Sequence, residues 1–240
     1  TDSGDKLGAV DILFIVDWSG SMDTEIFAVM SALNKFAASY SDEEVLQWGT
    51  IIGPLDSNWG ALEYLNLYHN LSGFSSFLSS MTQLNISSWA MTGAREMMMD
   101  AIYLSIHTLV GAGSLPVNIP PLQWGQGNGV TESVPPIKNF VIDWRTDPEV
   151  KRVIILFTDE KSQSYTIPAI SQDILIEAIG KITNTKIYIF SQQIHKDNWI
   201  SFEGWEPLSI ASGGKWYMLT DDMLMMYNDL MEIIDENACE

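Results

Sequence analysis

The sequence predicts an α/β protein: a doubly wound, mostly parallel six-stranded sheet with one antiparallel edge strand and helices on both faces. Three observations carry this prediction. Residues 10–16, 153–157 and 186–190 are short apolar runs rich in β-branched residues, the pattern of parallel strands buried on both faces. Segments of helical periodicity lie between them, as crossover connections require. Two of the runs stop at a carboxylate, Asp17 and Asp159, at the strand ends where open α/β sheets keep their sites. A chain of 240 residues is long enough for one sizeable core, and a single domain over residues 1–240 is expected.

The elements follow in order. Thr24 is placed to cap a helix that Ile26, Phe27, Met30, Leu33 and Phe36 continue to about Tyr40. Residues 45–52 and 62–68 read as strands joined by the turn-rich stretch 53–60, an antiparallel hairpin at one edge of the sheet. Residues 74–81 form a short helix or turn. A stronger helix spans Thr92 to about Val110, with Ala94, Met97, Met98, Ala101, Ile102, Leu104 and Ile106 as its buried face. Its methionines read as adaptable core filler. From about 111 to 148 the pattern breaks into Gly, Pro, Asn and Ser, too long for an ordinary connection. This insertion should lie at the pole opposite Asp17, because the preceding helix runs away from the strand carboxyl ends. The strand at 153–157 follows, then a helix over 168–183, a strand at 186–190, another at 215–219 and a capped terminal helix over 221–234.

Acidic residues outnumber basic ones 31 to 12, a formal net charge of −19. Such a field repels nucleic acid and anionic membranes and favours cations. It also serves solubility. Cys239 is the only cysteine, which rules out an internal disulfide or a cysteine-rich zinc site. No apolar run approaches the ~18 residues of a membrane span. The start at Thr1 without Met reads as a mature or excised domain of a longer chain.

The chemistry concentrates at Asp17-Trp18-Ser19-Gly20-Ser21. Alternate residues on an extended segment share one side, so Asp17, Ser19 and Ser21 can converge on one point. Carboxylate and hydroxyl oxygens without His or Cys suit Mg²⁺, Mn²⁺ or Ca²⁺ and serve Zn²⁺ poorly. Few carboxylates leave such a metal under-neutralised and open to an anionic oxygen from a partner.

A strand, then Asp17-x-Ser19-x-Ser21, then a Thr at a helix start, then an apolar strand ending Phe157-Thr158-Asp159 resembles the von Willebrand factor A domain, the fold shared with integrin inserted domains. The resemblance runs from Val10 to about Ile234 apart from the insertion. It implies a metal-ion-dependent adhesion site with Asp17, Ser19 and Ser21 as first loop, Thr92 as second and Asp159 as third. One divalent cation is implied, Mg²⁺ first and Mn²⁺ or Ca²⁺ as alternatives, with a carboxylate of a protein or glycan partner completing its octahedron. The chain departs from the family at Glu160, where Gly is usual, and beyond the Thr92-Gly93 pair, where a small-apolar pair is usual; Ser88 is the alternative to Thr92 as ligand.

Competing patterns have less behind them. Asp17, Ser19, Ser21 and Asp23 have the early spacing of an EF-hand, but Met22 stands where Gly is demanded and Ala28 where a bidentate Glu is. No nucleophile elbow or phosphate loop is present, and His69, His107 and His195 are scattered without a Ser or Cys at a recognisable spacing. Trp18, Met22, Trp89, Glu160, His195, Trp199 and Trp205 are candidates for a ligand-binding rim, with burial beneath the loops as the plain alternative for the aromatics. Asn70-Leu71-Ser72 and Asn85-Ile86-Ser87 match the sequon, a low-specificity signal. The expectation is a non-catalytic, cation-dependent binding module of a secreted or cell-surface adhesin. An intracellular assembly domain of the same fold is the alternative, and a metal-dependent hydrolase a more distant one.

Overall fold

The computed structural model describes residues 8–22, 24–39, 45–55, 64–83, 97–107, 109, 123–124, 132–133, 141–162, 164, 170–196 and 204–238. The elements are β1 (Val10–Asp17), α1 (Glu25–Ser39), β2 (Leu46–Leu55), β3 (Tyr64–Ser72), α2 (Phe74–Gln83), α3 (Met98–His107), β4 (Gln123–Trp124), β5 (Glu132–Ser133), β6 (Lys151–Thr158), α4 (Gln172–Ile179), β7 (Thr185–Ser191), α5 (Glu206–Ala211), β8 (Trp216–Met218) and α6 (Met223–Ala238). Six strands form one sheet in the order β3-β2-β1-β6-β7-β8. All neighbours are parallel except β2 and β3, so the expected sheet with its antiparallel edge is present. β4 and β5 form a separate antiparallel pair within the insertion, where no strand was expected.

Strand alternation divides the core in two. Val10, Ile12, Phe14 and Val16 of β1 join side chains of α1, α2 and α6 on one face, among them Phe36, Phe77 and Leu230. Leu13 and Ile15 join α3, α4 and α5 on the other. β1 is therefore covered on both sides, which is why its sequence is a continuous apolar run. Met97, Met98 and Met99 are buried in the second layer, in keeping with the packing role expected of them. Phe14 sits in an aromatic cluster, stacked on Trp48 with centroids 6.3 Å apart and tilted against Phe77 at 5.9 Å.

Several boundaries differ from the sequence reading for local reasons. β3 continues to Ser72, opposite Trp48, because pairing with β2 outlasts the apolar stretch. α4 begins after Ser171, whose side chain accepts from Ile174 N and caps the helix, so it is shorter than the 168–183 expected. Between β7 and β8 the described residues include a 3-10 turn at Gln193–His195 and α5. α6 is capped by Asp222, whose Oδ1 accepts from Leu224 N and Met225 N. Between α5 and β8, Gly213 has φ of 77°, and a Cβ on Gly214 would stand 2.0 Å from Ile187 O, so neither tolerates a side chain.

At the amino end of β1, Asp11 is fully buried within the strand. Arg145 closes on it, Nε donating to Oδ1 at 2.6 Å and the backbone N to Oδ2 at 2.9 Å. Arg145 Nη2 also donates to Val45 O, and Arg152 Nη2 donates to Arg145 O. Asn70 of β3 takes hold of the same segment, its Nδ2 donating to Val141 O and Asp143 Oδ2. The described end of the insertion, residues 141–148, is thereby tied to the sheet.

Candidate metal centre

The site grows from the strand order. From β1 the chain winds outward to β2 and β3, then returns to β6 on the other side of β1 and winds outward through β7 and β8. The direction reverses between β1 and β6, and crevices form at the carboxyl ends of strands flanking such a reversal. Val16 pairs with Phe157 at the end of the β1–β6 ladder. The next step brings Asp17 against Thr158, with Asp159 just beyond.

The side chains close into a network. Asp17 Oδ1 accepts from Ser19 N at 2.9 Å and Oδ2 accepts from Thr158 Oγ1 at 2.7 Å. The Ser19 and Ser21 hydroxyls are 2.9 Å apart. Ser21 Oγ donates to Asp159 Oδ1 at 3.1 Å. The structure thus places four of the five expected ligands together, from residues 138 apart in sequence at the Ser21–Asp159 contact. Thr92, Ser88, Trp89 and Trp199 lie outside the described residues, as does Cys239.

Among the described residues no cation pairs with this cluster. Asp17 is fully buried and Asp159 is 7% exposed, while the ion pairs between described residues engage other carboxylates. Burial pushes the Asp17 carboxyl up to about 7, opposed by its bonds from Thr158 and Ser19 and reinforced by the charge of Asp159. Burial likewise raises Asp159 to about 6, opposed by Ser21. In both cases no charge among the described residues compensates the ionised form. Two carboxylates and two hydroxyls converging in a crevice are hard oxygen donors, a set that fits Mg²⁺, Mn²⁺ or Ca²⁺. Among the described residues no group of three or more His, Cys, Asp or Glu side chains gathers as a metal cage. A cation here would rely on hydroxyls for much of its shell.

The rim differs from expectation at three positions. Trp18 is 1% exposed, and Met22 and Trp205 are fully buried. Trp18 and Met22 belong to the core with α1 and α6, so they prop the first loop from beneath and present nothing to a ligand. Trp205 does the same for the third loop, its Nε1 donating to Glu160 O at 2.7 Å. Glu160 and His195 remain partly exposed beside that loop. Burial lowers the His195 pKa, while the Glu160 charge and a hydrogen bond to the Asp159 backbone oppose it.

Thr158 is the residue that sequence reasoning passed over. Its position directly before Asp159, in the strand next to β1, was the available signal. The histidine reading also needs amendment, because His69 has two serine partners in space. Its Nε2 lies 2.6 Å from Ser72 Oγ and its Nδ1 2.8 Å from Ser80 Oγ. Burial lowers the His69 pKa, so the neutral ring clips β3 to α2. Asn70, the first residue of one sequon, spends its Nδ2 on residues 141 and 143, and a glycan on that atom would cost those bonds.

No protein-family model matches the chain, and a search of curated proteins finds no match. Among solved structures, proximal thread matrix protein 1 from the mussel byssus is similar in fold, with TM-score 0.54 and 10% identity over 96% of this chain. A second crystal form of that protein gives the same score at 12% identity. The chain spans less than half of that protein's length, 46% and 48% in the two structures. The mixed α/β sheet fits a fold of the von Willebrand factor A type. No described helix is long and apolar enough to cross a membrane.

Proposed function

We propose that this chain is a divalent-cation-dependent binding module, without catalytic turnover, that engages an acidic group of a protein or glycan partner at the carboxyl ends of β1 and β6. The observation that carries the reading is the oxygen cluster at the point where the sheet reverses direction, in which Asp17, Ser19 and Asp159 are buried, Ser21 is exposed, and no cation among the described residues pairs with either carboxylate. Those four residues would hold the cation, with Thr92 as the fifth donor implied by the family resemblance. Bound there, the metal supplies a Lewis-acidic position for a carboxylate oxygen. Thr158 fixes the Asp17 carboxylate by donating to Oδ2, and Trp205 holds the third loop through Glu160 O. Each is a positioning residue, since it acts through another group.

A secreted or cell-surface setting is part of the same reading. The family's usage supports it, and the likeness to a matrix protein of the mussel byssus points the same way on grounds of fold. The same site on an intracellular assembly domain would grip an acidic residue of a partner subunit by the same chemistry.

Mn²⁺ offers a direct test because its bound water is visible in proton relaxation. Wild-type protein should enhance water relaxation on binding Mn²⁺, and a short Asp- or Glu-containing peptide should reduce the enhancement by taking the open position. Asp17→Asn should show neither effect. Enhancement that persists in Asp17→Asn, or that no carboxylate ligand alters, would overturn the reading.

A further inference from the structure

The opposite pole of the sheet carries charge of the other sign. Strand β6 runs from Lys151 to Thr158, so Arg152 and Asp159 stand at its two ends, about 23 Å apart at ~3.3 Å per residue. At the amino end a cavity of about 280 Å³ opens between the 144–146 segment, β6 and the turn entering β7. Arg145, Arg152 and Lys181 line it, with the hydroxyl-bearing Thr183 and Thr185, and none of its described lining residues carries a carboxylate. An adjoining cavity of about 340 Å³ shares Ile182 and Thr185 and adds Lys151, Lys186 and the carboxylate Glu236. Five of the chain's 12 Lys and Arg residues therefore line two neighbouring cavities, in a protein of net charge −19.

The three cations of the first cavity are not equally compensated. Arg145 is paired with Asp11 at 2.6 Å, and Lys181 with Glu177 at 2.7 Å, both partners of that second pair being well exposed. Arg152 is different. Among the described residues its Nη atoms donate to backbone carbonyls alone, those of residues 145, 147 and 150. Its Nε is buried with no hydrogen-bond partner among the described residues. The rest of the group is partly exposed, and its charge meets no carboxylate among the described residues, so an anion in the cavity would compensate it. Guanidinium groups meet tetrahedral oxyanions well, because their N–H donors match the spacing of the oxyanion's oxygens. The cavity is roomier than a bare ion needs, and the apolar Leu109 and Ile182 stand with Trp144 in its wall, which leaves space for a compact organic carrier.

From this geometry we infer that the cavity at the amino ends of β6 and β7 is an oxyanion site for a phosphate or sulfate monoester, with Arg152 and Lys181 as its principal cationic contacts. The site is separate from the candidate metal centre and works without a divalent cation. One molecule can therefore engage two anionic groups at opposite ends of the sheet, one through a metal and one through guanidinium and ammonium groups.

The test is calorimetric titration in excess EDTA at fixed ionic strength, with glucose 6-sulfate, glucose 6-phosphate, inorganic sulfate, inorganic phosphate and glucose as probes. The esters should bind saturably, and Arg152→Gln or Lys181→Gln should weaken them at least tenfold. Lys35→Gln, on α1 over the Tyr227 ring, should change nothing. Binding of the inorganic ions as tight as that of the esters assigns the site to the free oxyanion. Tighter ester binding assigns it to the carried group. If Arg152→Gln does not fold, Lys181→Gln and Thr185→Val carry the test, since neither removes a bond that holds residues 145–147. Failure of every anion to bind, equal binding of glucose, or binding unaffected by the Lys181 and Thr185 changes would overturn the inference. Because EDTA is present throughout, none of these outcomes bears on the metal centre.

Discussion

Strand β1 holds two fully buried carboxylates, Asp11 near one end and Asp17 at the other, and the chain treats them oppositely. Asp11 receives a guanidinium and a backbone N–H from Arg145, so its charge is met from within. Asp17 receives a hydroxyl and a backbone N–H but, among the described residues, no cation. The fold closes on the first carboxylate; the second, on the reading proposed above, is held in place for a cation. Burial alone does not distinguish the two, but their partners do.

The largest way to break this contrast is at the closed end. Arg145→Ala would leave Asp11 buried without its guanidinium, keeping the backbone N–H of residue 145, and it should cost about 3–5 kcal/mol by urea denaturation, with or without Mg²⁺. A loss below ~1 kcal/mol would mean that the pair behaves as an exposed one. At the open end the sign reverses. Asp17→Asn should stabilise the metal-free protein at pH 8 by on the order of 2 kcal/mol, because the ionised carboxylate is uncompensated and a tenfold change in proton affinity corresponds to about 1.4 kcal/mol. The lost acceptor geometry toward Thr158 takes back part of the full value. Destabilisation by this change in EDTA would contradict the account.

The same contrast predicts a pH dependence. Asp17 folds with its pKa raised from 3.8 to about 7 and Asp159 to about 6, so between these values the folded state binds protons that the unfolded state has released. Stability from these groups is complete below about pH 4 and is lost as pH rises toward 7. In EDTA, wild-type protein should therefore lose melting temperature relative to Asp17→Asn across that window, and saturating Mg²⁺ should remove the difference in slope. A constant offset between the two proteins would sink the assignment. The smallest effect belongs to Thr158→Val, which deletes the 2.7 Å bond to Asp17. It should cost about 1–2 kcal/mol and weaken Mg²⁺ binding while leaving the Arg145–Asp11 pair untouched.

How far the sequence reaches is clear at the same two ends. Asp17, Ser19, Ser21 and Asp159 were legible because a buried strand that stops at a carboxylate is a local pattern, and the alternate spacing of the serines places them on one side. The sheet was legible for a related reason, since strands covered on both faces must be apolar throughout. Thr158 was not, because its role depends on the β1–β6 register. Arg145 was not either, since its partner lies 134 residues away across an insertion with no periodicity. Trp18, Met22 and Trp205 show a further limit: an aromatic or Met beside a ligand loop reads alike whether it faces solvent or the core. Packing decided for the core in all three.

Thermal unfolding against Mg²⁺ tests most directly the proposal that the oxygen cluster at Asp17 and Asp159 binds a divalent cation. Wild-type protein at pH 7.5 should melt higher as Mg²⁺ rises, by about 2.7 kcal/mol of stability at a hundredfold excess over Kd, with Asp17→Asn and Asp159→Asn unresponsive. Equal responses in all three proteins would reduce the effect to counterion screening of an acidic surface, and no response in wild type would contradict the claim outright.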